Sequence, residues 1–490
     1  MARKDFSIGF DAHIRMSTIH LDRGNTRKWS QTMSTSQADD NLIPQFARPG
    51  EATLAARHVI PQQESLPGTA KQIIDDETML DGNSRLNLAT FVSTWMDDDA
   101  KQVYEASFDK NMIDKDEYPQ TAAIEDNCWH MIANLWNAPD ASQSIGTSTI
   151  GSSEACMLGG LAFKRRWQQA RRAAGKDTSK PNLVMSSAVQ VCWEKFCNYF
   201  DVEPRFVPIT EEHKTLDGYD LEKYIDENTI GVVAIMGVTY TGMYEPVAEI
   251  AKALDDIQAK TGLDVPIHVD GASGGMIAPF LQPDLVWDFR LERVHSISTS
   301  GHKYGLVFPG LGWAVWRESK WLPEDLIFQV SYLGGEMPTF ALNFSRPGAQ
   351  VLLQYYMFLR LGFEGYRAVQ QTSQDVAKFL SAGIAKLDAF ELWNDGSDIP
   401  VFAWRLKEGH TSNWNLYHLQ DRLRMKGWLV PAYPMPDDLT DLTVQRIVVR
   451  TGLSMDLAEE LLEGIETETA YLDALESPMP VEAQRPAFHH

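Results

Sequence analysis

Apolar residues come in short runs separated by stretches of helical period. Asn182-Leu183-Val184-Met185, Ile230-Gly231-Val232-Val233-Ala234-Ile235, Pro266-Ile267-His268-Val269 and Val294-His295-Ser296-Ile297 each read as a short buried strand. Helical stretches such as Val247 to Lys260 separate several of them. That alternation predicts an α/β fold, a mainly parallel sheet with helices on both faces. Leu311 to Trp316 adds a candidate antiparallel strand. A long helical run from about Gly348 to Leu387 leads into a smaller C-terminal α+β domain. There Val401–Leu406 and Val444–Arg450 alternate as half-buried strands, and Ser454 is placed to cap a last helix reaching about residue 475.

Ahead of the first strand, Pro67-Gly68-Thr69 opens a helix that Asp81-Gly82-Asn83 closes. Asn87 to Phe91 follows, then a long helical stretch that carries Asn111 and Asp114. The chain thus divides into an arm (1–66), a large domain (67–346), a small domain (347–476) and a loose Pro-rich tail (477–490). The arm is rich in Arg, Ser, Thr, Gln and Asp. It reads either as a disordered tail or as an arm that orders against a neighbouring subunit. No internal repeat is visible.

The candidate chemistry lies at the strand ends. Val294 to Ser298 leads into Thr299-Ser300-Gly301-His302-Lys303-Tyr304-Gly305, which puts Lys303 among small residues on a loop that a ligand can approach closely. One strand earlier, Ile267-His268-Val269 ends in Asp270 and then Gly271-Ala272-Ser273. Ligands of open parallel sheets bind at the carboxyl ends of the strands. A lysine and an aspartate there suit pyridoxal 5'-phosphate, which needs an amine for its Schiff base and a carboxylate for its ring nitrogen. A third stretch, Ile145 to Ser153, is a Gly/Ser/Thr loop running into a helix from Glu154 to about Ala174, with Ser152 or Ser153 as a natural N-cap. Free N–H groups and hydroxyls at a helix start bind anions, and a phosphate is the obvious guest. By itself the pattern fits a plain cap equally well.

Composition narrows the classes. At 490 residues the chain exceeds one typical core, which argues for two domains. Hydrophobic residues at 44% and charged residues at 23% describe an ordinary soluble protein. A net charge of -23 repels phosphates and excludes nucleic acid as a partner. Cys128, Cys156, Cys192 and Cys197 match neither a zinc spacing nor a disulfide framework, so no metal is expected and a reducing cytoplasm is the simplest setting. Neither an apolar leader nor a run long enough to span a bilayer is visible, so no stable membrane association is expected.

Together these stretches resemble the glutamate decarboxylases of bacteria and plants, from roughly residue 70 to residue 470. The most specific pieces are Asn87 to Phe91, Asp116-Glu117-Tyr118-Pro119-Gln120, Ile145 to Ala155, Gly237 to Gly242, His268 to Gly275 and Ser300 to Gly305. The resemblance implies the aspartate-aminotransferase fold type of pyridoxal-phosphate enzymes (fold type I), with a sheet of the seven-stranded type. It implies α-decarboxylation of L-glutamate to 4-aminobutyrate and carbon dioxide, by a homodimer as the minimal unit within a homohexamer. Lys303 resembles the Schiff-base lysine and Asp270 the partner of the ring nitrogen. Ala272 and Gln190 correspond to residues on the two ring faces, and Thr239 to a further cofactor contact. Ser152, Ser153, Ser300 and His302 resemble phosphate ligands, and Ser345 one that reaches in from a second subunit. Thr90, Phe91, Asn111 and Asp114 resemble the pocket for the distal carboxylate, and Arg450 the arginine near the α-carboxylate. Arg446 competes with Arg450, because strand alternation puts both on one face. His490 resembles a terminal histidine that closes the site as pH rises. Gly271 departs from the family, which usually has alanine there; a small packing change is expected. Two other readings stay open: a lyase of the same fold acting on another amino acid, and a catalytically silent scaffold. The polar Thr90/Asn111/Asp114 set favours a carboxylate side chain, and intact Lys303 and Asp270 favour an active enzyme.

Overall fold

A computed structural model describes residues 58–330, 337–410 and 413–480. Most of the N-terminal arm, and His490 with its proposed gate, lie outside these residues. The chain divides after Asp81 into two compact units. The described part of the first contains helix α1 (Pro67–Thr78), which has proline in its first turn and no buried residue. The unit boundary therefore follows α1, whereas the sequence pattern put it before.

In the second unit the strands β1 (Ile145–Thr149), β2 (Asn182–Ser186), β3 (Glu203–Val207), β4 (Thr229–Ile235), β5 (Ile267–Asp270), β6 (Val294–Thr299) and β7 (Gly312–Trp316) form one sheet. Their order is β1-β7-β6-β5-β4-β2-β3, and β7 alone runs against the rest. Helices α2 (Asp98–Glu105), α3 (Pro119–Leu135), α4 (Ser152–Ala173), α5 (Val191–Tyr199), α6 (Val247–Thr261) and the short α7 (Ala278–Leu281) accompany it. Strand β4 explains the layering. Val232 and Ala234 pack in one core with Ile250 and Leu254 of α6, while Ile230, Val233 and Ile235 pack in another with Phe163 of α4 and Trp193 and Phe196 of α5. A strand apolar on both sides is what helices on both faces require. The expected parallel sheet and its antiparallel strand are both present.

A short pair, β8 (Phe328–Val330) and β9 (Met337–Thr339), precedes helix α8 (Ala349–Ile384). Beyond it, β10 (Phe390–Leu392), β11 (Val401–Leu406), β12 (Ala432–Pro434) and β13 (Thr443–Val448) make an antiparallel sheet in the order β10-β11-β13-β12, with α9 (Leu416–Met425) and α10 (Met455–Asp473). Helix α8 kinks at Gly362, whose φ of 56° lies in the left-handed region that a side chain would strain. Its Met357 and Tyr366 belong to the core of the large sheet, and its Val376, Leu380 and Ile384 to the core of the C-terminal sheet. One helix thus nails two cores together, so no unit boundary falls at 346/347, where the sequence pattern put a domain boundary. The first residues of the expected tail are held too: Met479 N–H donates to Asn413 O at 2.9 Å. Among the described residues no helix is long and apolar enough to cross a membrane.

The helical stretch expected to carry Asn111 and Asp114 is instead a connection between α2 and α3. Asn111 accepts from Arg346 N–H (3.2 Å) and donates to Asp114 (2.9 Å) through its side chain, local bonding that competes with helix. Pro119 then starts α3 afresh.

An ion pair anchors this region. Glu125 of α3 accepts from Ser148 N–H at 2.8 Å and from Arg346 Nη2 at 2.9 Å, and both charged side chains are buried. Burial pushes the Glu125 carboxyl up, but Arg346 and the Ser148 bonds outweigh it and hold the group below the usual carboxylate range. A depressed folded value means the pair's stability is present above the unfolded pKa of about 4.3 and fades as pH falls through the folded value. Arg346→Leu is expected to lower the unfolding free energy by about 3–5 kcal/mol, because Glu125 keeps an uncompensated charge. Urea denaturation at fixed protein concentration reads this near neutral pH, and the deficit should shrink in acid. An unchanged midpoint would show that the pair carries no stability.

Candidate active site

Strand β5 ends at Asp270, level with Ser298 of β6. Lys303 lies in the turn that follows β6, its N–H donating to Ser300 O at 3.2 Å. Parallel pairing therefore brings two charged residues, 33 positions apart in the chain, to one end of the sheet. Asp270 is 3% exposed. Its Oδ1 accepts from Ala272 N–H at 3.0 Å, and its Oδ2 from Trp193 Nε1–H at 2.9 Å and from the Cys156 thiol at 3.5 Å. Behind it, His268 reaches Ser296 (2.8 Å) and Ser298 (3.1 Å), and burial lowers its pKa to about 4, so the imidazole is neutral. The Lys303 side chain is partly open to the cleft, yet its surroundings are dense. Burial pushes its ammonium below the usual lysine range, with Asp270 pulling the other way. An amine so placed is more readily a neutral nucleophile.

The expected phosphate turn faces this loop. The serine cap is not what forms: Gly151 is the N-cap of α4, and Ser152 and Ser153 are the first helical residues, with neither hydroxyl capping the helix. A Cβ on Gly151 would come within 2.9 Å of His302 Cε1, so the turn needs glycine to meet the Lys303 loop. His302 Nδ1 accepts from Leu311 N–H at 3.1 Å, and burial lowers its pKa to about 4, with Lys303 adding to the fall. Ser300 Oγ is buried with no partner among the described residues. An unbonded buried hydroxyl is costly unless a guest uses it. The uncapped serines, the Ser300 hydroxyl and the start of a 22-residue helix fit a phosphate, and Lys303 and Asp270 fit the aldehyde and ring nitrogen of pyridoxal. Ala272 is small and half-buried beside Asp270, and Gln190 caps α5 through Oε1 to Cys192 N–H at 2.6 Å. A Cβ on Gly271 would lie 3.0 Å from Ser298 O and 3.2 Å from Gly275 Cα, so backbone would have to give way to admit alanine there.

Residues 89–93 cover the lysine. Ser93 N–H donates to His302 O at 2.7 Å, and Lys303 Nζ lies 5.1 Å from the centre of the Phe91 ring, next to Thr90. On the same ring, at 5.0 Å, sits the Arg446 guanidinium. It donates to the carbonyls of Thr239 and Ala89, the latter at 2.7 Å. Arg450 goes elsewhere. It donates to the carbonyls of Val92 (3.0 Å), Ser84 (2.7 Å) and Asn87 (2.7 Å) and to Thr94 Oγ1 (2.8 Å), and so clamps the segment from below. The structure brings Arg446, and not Arg450, to the ring that Lys303 faces. Asn111, Asp114 and Ser345 form a separate group: Asn111 Nδ2 is 2.9 Å from Asp114 and 3.4 Å from the exposed Ser345 Oγ. Sequence reasoning missed Trp193 and Cys156 as contacts of Asp270. No local pattern marks them, since both are apolar-face helix positions.

A family model described as the pyridoxal-dependent decarboxylase conserved domain matches residues 61–407. The chain is 51% identical over 435 residues to a glutamate decarboxylase of Aliivibrio fischeri, covering 88% of this chain and 94% of that one. It is 50% identical over 431 residues to a glutamate decarboxylase of Lactococcus lactis subsp. lactis, covering 87% and 92%. Among solved structures, a Lactobacillus brevis glutamate decarboxylase superposes with a TM-score of 0.85 at 46% identity, covering 89% of this chain and all of that one. A sphingosine-1-phosphate lyase of Burkholderia pseudomallei, at 20% identity and a TM-score of 0.72, shares the fold.

The indole bond to Asp270 is testable. Trp193→Phe keeps the packing and removes one donor from a buried carboxylate, so unfolding free energy should fall by about 1.5–3 kcal/mol. Equal urea midpoints for variant and parent would show that the indole N–H does not support Asp270.

Proposed function

The chain belongs to the pyridoxal-dependent decarboxylase family, and from that premise we propose that it decarboxylates L-glutamate to 4-aminobutyrate and carbon dioxide, with uptake of one proton. The observation that carries the reading is the convergence of Lys303, Asp270 and the Phe91–Arg446 pair on one cleft at the sheet's carboxyl edge. Lys303 would hold pyridoxal phosphate through Nζ, Asp270 would hold its ring nitrogen, and Ser152, Ser153, Ser300 and His302 its phosphate. When bound, the cofactor supplies an electron sink for the pair left by departing carbon dioxide.

The protein's own residues do the rest. Asp270, held by two N–H donors, stabilises positive charge at the base of the cleft. Arg446 binds the α-carboxylate and fixes which bond to Cα breaks, since its guanidinium is held by two backbone carbonyls over Phe91. The Phe91 ring and the segment above Lys303 exclude water from the reacting carbon. Lys303, with its depressed pKa, accepts and returns a proton at Nζ, and its return to Cα completes the product. Thr90 and the backbone beside it face the distal carboxylate. The Asn111–Asp114 pair completes the same pocket in a second copy of the chain, and the exposed Ser345 bonded to it reaches that copy's phosphate. On this reading the working unit is at least a dimer.

Two outcomes test these roles. Lys303→Ala should lose turnover by roughly 10³-fold or more, and Asp114→Ala should impair it. Co-expressing the two variant chains should restore activity, because a mixed pair has one site with both residues. A mixture no better than either parent would refute the shared site. Separately, Arg446→Met should lower kcat/KM for glutamate by about 10- to 150-fold, whereas Arg450→Met should mainly lower stability. Steady-state kinetics on the folded fractions distinguishes them, and the opposite ranking would return the α-carboxylate to Arg450.

A further inference from the structure

The cysteines matched no metal spacing in the sequence, but the fold brings two of them to one point. Cys156 lies in the second turn of α4, Cys192 in the first turn of α5, and Asp270 at the end of β5. One donor atom from each, two sulfurs and a carboxylate oxygen, lies within 4.8 Å of the other two. All three residues are buried. We propose that, before its cofactor is loaded, the chain binds one soft divalent cation such as Zn²⁺ or Cd²⁺ through Cys156, Cys192 and Asp270, in competition with pyridoxal phosphate. The competition rests on Asp270 serving the cofactor's ring nitrogen, while the cation site itself does not.

Size and chemistry both suit such an ion. A triangle of donors no more than 4.8 Å on a side has its centre at most about 2.8 Å from each corner, so movements of about 0.5 Å reach the zinc–sulfur distance of about 2.3 Å. Two thiolates and a carboxylate select a soft or borderline metal over magnesium or calcium. Ser298 Oγ, 3.4 Å from Cys156 Sγ, lies beside the cluster as an outer-shell partner. Binding converts two thiols to thiolates, and their two protons leave to solvent. The two thiolates and the carboxylate then meet the divalent ion, which offsets most of their charge, with the Lys303 side chain facing the same groups. Burial holds the Cys156 thiol well above its ordinary range, which keeps that thiol protonated and unreactive until a metal replaces its proton. Entry is from the cleft side, where Lys303, Gln190 and Ala272 are only half-buried. A cofactor seated on Asp270 would cover that route. The buried Cys128 and Cys197 have no comparable set of donors among the described residues.

The probe is Cd²⁺, added to the full-length chain in its cofactor-free and cofactor-loaded forms. The cofactor-free chain should take up one Cd²⁺ by equilibrium dialysis and show the ultraviolet thiolate-to-cadmium charge-transfer band. Cys156→Ser and Cys192→Ser should each weaken binding by more than about 100-fold, beyond the loss typical of an outer-shell partner, and remove most of the band. Cys128→Ser, away from the cluster, should keep both. The cadmium-bound chain should load pyridoxal phosphate more slowly, and a chelator should restore the rate. No band, or a band that survives both cluster variants, overturns the proposal. A band lost in the variants but unchanged by cofactor loading leaves the metal site standing, and refutes instead the reading of Asp270 as the ring-nitrogen partner.

Discussion

A carboxylate 3% exposed inside a parallel sheet is the constraint from which this site follows. Taking a charge out of water is costly unless donors and a counter-charge replace the solvent. Asp270 meets that requirement from three directions: the backbone N–H two residues on, the indole of α5, and the ammonium of Lys303 from the neighbouring strand end. Each depends on a different long-range contact. The β5–β6 register sets where the lysine loop begins, and the packing of α5 on β4 sets where the indole points. Moving either would strand the charge. The site is thus preorganised by the same contacts that make the charge tolerable.

Two other buried carboxylates hold the backbone, in a way that complements Asp270. Glu154 accepts from Ile150 N–H at 2.8 Å, ahead of the phosphate turn, and also from Leu342 and Asn343 N–H at 2.8 and 3.1 Å. Glu125 holds Ser148 and Arg346 in the same manner. Segment 342–346 is therefore fixed at both ends to the strand and turn that would carry the phosphate. Along it Arg346 points inward to Glu125 while Ser345 stays exposed. A strap held this firmly presents Ser345 outward without needing a partner to order it.

Local signals made most of this legible from the sequence. Strands that are apolar on both faces announce themselves as continuous runs, and a charged residue closing such a run marks the strand's end, as at Asp270. The failures have equally local causes. Asn111 and Asp114 sit in a stretch whose composition suits a helix, and the side-chain bonds to Asp114 and Arg346 that prevent it come partly from 235 residues away. Ser152 and Ser153 look like caps, but the close approach of the His302 ring forces glycine into the cap position and shifts both serines into the helix. Arg446 and Arg450 share a face only while the strand lasts. Strand β13 ends at Val448, so alternation ceases to apply to Arg450 just where it was needed.

The residues with no signal at all, Trp193, Cys156 and Cys192, share a cause. Each lies on a helix face turned toward the sheet, where any large or small apolar residue satisfies the period. What sets them apart is the identity of one distant atom, a carboxylate oxygen that needs a donor. The Cys156 thiol at 3.5 Å is a weak donor, and an aliphatic residue there would pack as well and bond not at all. That position therefore has a role only in relation to Asp270. Chemistry of this kind is written in the convergence of α4, α5 and β5, and becomes visible only once the sheet has brought their ends together.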